Sequence, residues 1–213
     1  MSQISQARAY IFRITHIDNV PWILRNGIHC QNSPVRDPNF REIGHPELIA
    51  RRQRRVVPAG PGGTLSDYVP FYFTPHSPML LNIRTGYKGM QQTPMAEIVI
   101  FVSSLHRIVD LGLPFVFTNQ HAYPVSARYF TDIQRLDAID WRILRHRDFK
   151  HDTDDPGKME RYMAEALIHN YVPLSALLGV ACYGPQHEAR LRAMQADAEV
   201  FLKTVAKQDW YFQ

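Results

Sequence analysis

Polar and apolar residues alternate over YIFRIT, residues 10–15. Tyr10, Phe12 and Ile14 fall on one side of an expected strand, and Ile11, Arg13 and Thr15 on the other. The period then changes: Ile17, Val20, Ile23 and Leu24 recur at helical spacing over 17–26, and Gly27 follows as a C′ residue. Residues 31–47 contain Pro34, Pro38, Gly44 and Pro46 and read as a long irregular loop. ELIARRQRR (47–55) reads as a short basic helix, and the glycines and prolines of 57–67 forbid a regular element.

Further strands are expected at YVPFYFT (68–74), EIVIFVSS (97–104), PFVFT (114–118) and VACYG (180–184). Short helices suit SPMLLNI (77–83), SLHRIVDLG (104–112) and PLSALLG (173–179), with Ser77 as a cap. Residues 131–148 and 185–200 have helical character, and DWYF (209–212) suits an edge strand. RYMAEALIHNYVP (161–173) fits a strand's alternation and a helix's i,i+4 spacing equally. Strands and helices mix without a regular βαβ period, which predicts an α+β fold around a mostly antiparallel core, one domain over 1–213.

Within that pattern Arg13 is the anomaly, because burying an unpaired arginine costs several kcal/mol. It requires a partner that the neighbouring sequence does not supply.

Composition narrows the class. Hydrophobic residues make up 45% and charged residues 21%, ordinary for a globular protein. No stretch approaches the ~18 apolar residues of a membrane span, and residues 1–10 lack a signal-peptide apolar core, so a cytoplasmic location is expected. Cys30 and Cys182 are the two cysteines and read as buried free thiols. The net charge of +4 is unevenly placed: ARRQRR (50–55) and RILRHRDFK (142–150) are basic runs, suited to solvated surface or to an anionic partner.

Several chemistries lack their motifs. The ten histidines form no HxxxH or HxH pair at metal-ligand spacing, so no metal is expected. PAGPGG has no Lys-Ser/Thr to make a phosphate loop, and no G-x-S-x-G elbow is present. What remains is a set of polar residues ending apolar strands: Arg13, Thr15, Tyr72, His121 and Glu165. Each also has a plain reading: Tyr72 as a core aromatic, His121 as a loop histidine, Glu165 on a solvated helix face.

Taken in order, ITHIDNVPWILRNGI, GGTLSDYVPFYFTPHSPML, LPFVFTNQHAYPVSARYF, DDPGKMERYMAEALIHNYVP and the terminal DWYF resemble the DarT family of DNA ADP-ribosyltransferase toxins. The resemblance spans nearly the whole chain. It implies an ADP-ribosyltransferase-like split, mostly antiparallel sheet with flanking helices, gripping NAD as the ADP-ribose donor. It further implies NAD contacts from Arg13, Thr15, His16, Asn19, Gly27, Arg52 and Tyr72, with the Tyr72 ring stacked on nicotinamide.

Glu165 and Arg52 are the implied catalytic pair: Glu165 opposes the oxocarbenium-like ribose and takes the proton of the attacking base nitrogen. Arg52 would stabilise the NAD phosphates or the developing anionic base. Arg51, Arg54, Arg55, His121, Tyr123, Arg128 and Tyr129 are the implied DNA contacts, the aromatics stacking on exposed bases of a single strand. The modified base would be thymine or guanine. A cognate antitoxin, an ADP-ribose-removing hydrolase, is the implied partner. The rival expectations are a same-fold transferase acting on RNA or protein, and a non-enzymatic nucleic-acid-binding module.

Overall fold

The computed structural model describes residues 4–213, so the first three residues of the single-domain and N-terminal readings lie outside the described residues. Its strands are β1 (Tyr10–His16), β2 (Ile28–His29), β3 (Tyr68–Tyr72), β4 (Ile98–Ser104), β5 (Phe115–Thr118), β6 (Tyr129–Phe130), β7 (Glu165–His169), β8 (Tyr171–Val172), β9 (Gly179–Cys182) and β10 (Thr204–Ala206). Its α-helices are α1 (Val20–Asn26), α2 (Pro46–Arg52), α3 (Pro78–Thr85), α4 (Leu105–Asp110), α5 (Trp141–His146), α6 (Lys158–Tyr162) and α7 (Pro185–Asp197).

Eight strands form one sheet in the order β10-β9-β4-β1-β3-β7-β5-β6, antiparallel except for β10 beside β9. The sheet is split at its middle. β1 and β4 pair along their whole length, whereas β1 and β3 share the single register pair Phe12–Tyr72. Pro70 helps to explain the parting, because it has no N–H to donate to a ladder. Its carbonyl accepts a hydrogen bond from Arg13 Nη1 at 3.0 Å, so a side chain spans the gap where backbone pairing stops.

The core follows the split. One large apolar cluster unites both halves, with Ile11, Phe101, Phe71, Phe117 and Ile168 packed against α1, α4, α5 and α7. Two smaller clusters serve the halves separately. Phe12, Ile14, Ile98 and Ile100 pack against Leu80 and Ile83 of α3, while Val116 and Leu167 pack with Tyr68, Val57 and Leu65.

Several local expectations are corrected. Residues 131–148 are a 3-10 segment (Ile133–Ala138) followed by α5, because Asp132 and Asp140 each cap a separate start. DWYF is not a strand: Gln208–Trp210 is one 3-10 turn, and the Tyr211 hydroxyl sits within 3.1 Å of the Ile98 and Ala181 carbonyls. The ambiguous 161–173 segment divides into α6 and then β7, whose Glu165, Ala166, Leu167 and Ile168 are all buried, as an interior strand demands. The pairing of β10 with β9 and the β2–β8 ribbon had no expected counterpart.

Gly27 ends α1 at φ +75°, and a Cβ there would meet the Val172 carbonyl and the Tyr171 ring at 2.6 Å. Gly27→Ala is therefore expected to destabilise the protein by about 1–3 kcal/mol, read as a lower urea midpoint; an unchanged midpoint would refute this packing.

Candidate active site

Past the Phe12–Tyr72 pair the parted strands form one wall and floor of an open cleft. Arg13, Ile14 and Thr15 line it from β1, Tyr68, Pro70 and Tyr72 from β3, and Glu165 from the first position of β7. The 31–45 segment and α2 close the opposite side, contributing Phe40, Glu42, Ile49 and Arg52.

Glu165 is 1% exposed and meets Arg52 through both carboxylate oxygens, Nη1 to Oε1 at 3.2 Å and Nη2 to Oε2 at 3.0 Å. Oε1 also accepts the Ala122 N–H at 3.0 Å, and the Glu165 N–H donates to Thr118 Oγ1. Burial pushes the Glu165 pKa upward, but the Arg52 charge and these hydrogen bonds outweigh it and hold the carboxyl below its ordinary value. For Arg52, burial works against the cation and Glu165 reverses that, leaving its pKa raised. The cleft therefore holds a buried, fully ionised, bidentate pair. His121 Nε2 lies 3.7 Å from Glu165 Oε1, with its pKa lowered chiefly by burial, so the ring faces the carboxylate uncharged at neutral pH.

Arg13 is less well satisfied. Beyond its bond to the Pro70 carbonyl, its Nε is buried with no hydrogen-bond partner. Burial, helped by Arg52 and Arg36 and opposed by Glu42, lowers its pKa to about 10, so it remains a cation with donor capacity to spare. Glu42 itself pairs with Arg36. The Tyr72 hydroxyl reaches Met79 Sδ at 3.6 Å, and its pKa is raised, by burial above all.

Of the residues expected at the site, the structure brings Arg13, Thr15, Arg52, Tyr72, His121 and Glu165 together in this cleft. His16, Asn19 and Gly27 do not line it. His16 Nδ1 accepts the Asp18 N–H and its Nε2 donates to Glu97 at 2.9 Å. Asn19 donates to Thr15 Oγ1 and the Arg41 carbonyl at 2.9 Å each, and accepts the Arg41 N–H at 2.8 Å. Asn19 fastens the 31–45 segment to β1 through Arg41, while His16 ties β1 to Glu97, which lies 3.8 Å from Arg41.

The expected DNA contacts divide as well. Arg51, Arg54 and Arg128 are exposed, Arg51 beside Glu47 at 3.6 Å and Arg128 over the Phe130 ring. Arg55 and Tyr129 instead brace the 119–128 loop, donating to the Pro124 and Ala122 carbonyls. Tyr123 is half-buried against the Val57 and Leu65 cluster. Sequence reasoning missed the Ala122 N–H, Thr118 and Glu42. Backbone donors leave no residue-type signal, and Thr118 was visible only as the polar end of PFVFT.

A family model described as ssDNA thymidine ADP-ribosyltransferase, DarT, matches residues 12–212. The chain belongs to the DarT family. It is 48% identical over 211 residues to a DNA ADP-ribosyl transferase of Escherichia coli O127:H6, covering 99% of this chain and 97% of that one. The structure of Thermus sp. 2.9 DarT in complex with ADP-ribosylated ssDNA superposes with a TM-score of 0.90 at 30% identity, covering 100% of both chains. Its complex with NAD+ superposes with a TM-score of 0.82 at 31% identity, over 96% of this chain and 98% of that chain. A Thermosipho africanus DNA ADP-ribosyl transferase-DNA ADP-ribosyl glycohydrolase fusion protein is 22% identical over 161 residues, 74% of this chain and 38% of its own. This chain thus has the split ADP-ribosyltransferase-type fold of the DarT family. Among the described residues, no helix is long and apolar enough to cross a membrane.

Because the Glu165 pKa is lowered on folding, its ionised form adds stability above the ordinary 4.5 that is lost as pH falls through the lowered value. Glu165→Gln should cost about 2–3 kcal/mol at neutral pH, and the gap from wild type should narrow in acid; urea unfolding at both pH values measures it. A gap that stayed constant would exclude the ion pair as its source.

Proposed function

We propose that this protein transfers ADP-ribose from NAD to a thymine base in single-stranded DNA, as the toxin of a toxin–antitoxin pair. The observation that carries the proposal is the buried Arg52–Glu165 pair beside Tyr72 in a cleft between parted strands. Arg13, a buried cation on the cleft wall with an unpartnered Nε, fits an anionic ligand. The NAD+ and ADP-ribosylated ssDNA complexes of the Thermus relative support both substrates.

In the proposed reaction the bond between ribose C1′ and the nicotinamide nitrogen breaks, and its electron pair leaves with neutral nicotinamide. C1′ becomes cation-like, opposite the ionised Glu165, in a site where charge is poorly screened. Thymine N3 supplies the pair for the new bond, and its proton passes to the Glu165 carboxylate. Arg52 stabilises the base as negative charge gathers on it, or the NAD phosphates. Tyr72 lies against the nicotinamide, whose flat cationic ring suits a π face. Arg51, Arg54 and Arg128 supply exposed positive charge along the single strand.

The toxin role rests on the family and on the fused glycohydrolase of the Thermosipho relative, which makes an ADP-ribose-removing hydrolase the expected antitoxin.

Incubation with NAD and single-stranded oligonucleotides should raise the mass of thymine-containing strands by one ADP-ribose and leave thymine-free strands unchanged. Unshifted masses across a panel of sequences would sink the proposal. Glu165→Gln should lower the transfer rate by roughly 10²–10³-fold while the protein stays folded.

A further inference from the structure

The 119–128 loop is stiffer than its sequence suggests. Asn119 Oδ1 accepts the Arg128 N–H at 3.0 Å, and Gln120 Nε2 donates to Ser126 Oγ at 2.8 Å across the loop. From outside, Arg55 holds the Pro124 carbonyl at 3.0 Å, the Tyr129 hydroxyl holds that of Ala122, and the His121 N–H bonds the Glu160 carbonyl at 2.8 Å. The turn at the tip is closed by the Ala127 N–H on the Pro124 carbonyl at 3.1 Å. At that tip Val125 is 86% exposed.

Single exposed aliphatics are common on protein surfaces, so exposure alone assigns nothing. Position is what separates this one. Ala122, three residues before Val125, donates its N–H directly to the Glu165 carboxylate. Three extended residues reach about 11 Å at most and the Ala122 N–H lies 3.0 Å from the carboxylate, so the valine is held within roughly four stacked nucleotides of it. The loop around it carries polar and cationic groups, with Gln120 bonded to Ser126, Arg55 bonded to the Pro124 carbonyl and Arg128 exposed, which suit the sugar–phosphate backbone, beside the half-buried Tyr123 and Tyr129. A stacked strand hides its base edges, and apolar side chains inserted between bases are an established way to open the stack.

We propose that Val125 is an apolar wedge that packs on the face of a nucleotide flanking the target base and keeps it from stacking on that target. This rests on the single-stranded DNA reading above. The valine acts on substrate geometry and takes no part in bond breaking.

The test measures transfer kinetics on one thymine-containing oligonucleotide with wild type, Val125→Ser and Val125→Ile. Val125→Ser should lower kcat/KM for the oligonucleotide by roughly tenfold, the size of a lost base contact, with the KM for NAD and the thermal midpoint unchanged. Val125→Ile should restore wild-type kinetics. Oligonucleotides with an abasic site at each flanking position in turn provide the second arm: at one position the difference between wild type and Val125→Ser should vanish. Wild-type kinetics in Val125→Ser, or a tenfold loss that persists with every abasic oligonucleotide, would overturn the wedge. If wild type modifies no oligonucleotide at all, it is the DNA reading that has failed, and the two failures are distinguishable.

Discussion

Glu165 is a charge taken out of water at the end of an interior strand, and the shape of the site follows from what is needed to keep it charged. A carboxylate this buried loses solvation that only close donors replace. The chain supplies three hydrogen bonds from two separate places: both terminal nitrogens of Arg52, at the end of α2, and the Ala122 N–H in the loop after β5. Thr118 fixes the backbone at the same residue. α2, the 119–128 loop and β7 are therefore brought to one point by a shared electrostatic demand. Removing Glu165 would leave Arg52 buried without its counter-charge and the Ala122 N–H without its acceptor.

The cleft in which this pair sits exists because a ladder fails. β1 has a full partner in β4, but on its other side it meets β3 at one residue pair only. Pro70 withholds an N–H at the place where a ladder would continue, and Arg13 crosses to its carbonyl instead. The apparent misplacement of an arginine on an apolar strand is thus resolved in two parts. Nη1 substitutes for sheet pairing, and Nε stays buried beside the parting without a hydrogen-bond partner. A sheet that was continuous here would have no room for a dinucleotide.

The alternation around Arg13 and the β-rich runs were legible because strand periodicity is local, and β1, β3, β4 and β5 lie close to where it puts them. The strand that carries Glu165 was not, since its segment satisfies two periods at once and only burial on both faces decides for a strand. THIDN was visible as a block of family likeness, yet nothing in a block separates a residue that lines a cleft from one that braces it. Thr15 lines, whereas His16 and Asn19 hold the facing segment through Glu97 and Arg41. That division depends on contacts more than twenty residues apart in the chain. The Ala122 contribution is made by a backbone group and carries no side-chain signature at all.

The same donors that keep Glu165 ionised also make it a weak base, which constrains how the proposed reaction runs. Two of its contacts come from one side chain, Arg52, and one from a backbone N–H fixed by the braced loop. Of these donors only the arginine is a side chain; the other belongs to the backbone of the loop. When an anion draws the guanidinium away, be it a phosphate of NAD or the base as its negative charge develops, Glu165 loses its strongest stabilising partner and its basicity rises. The proton transfer then becomes favourable at the stage when Arg52 is needed elsewhere. In the proposed reaction, pairing the two residues in the free protein serves stability and separating them serves chemistry, so one contact links a buried charge that the fold tolerates to a base held latent until substrate arrives.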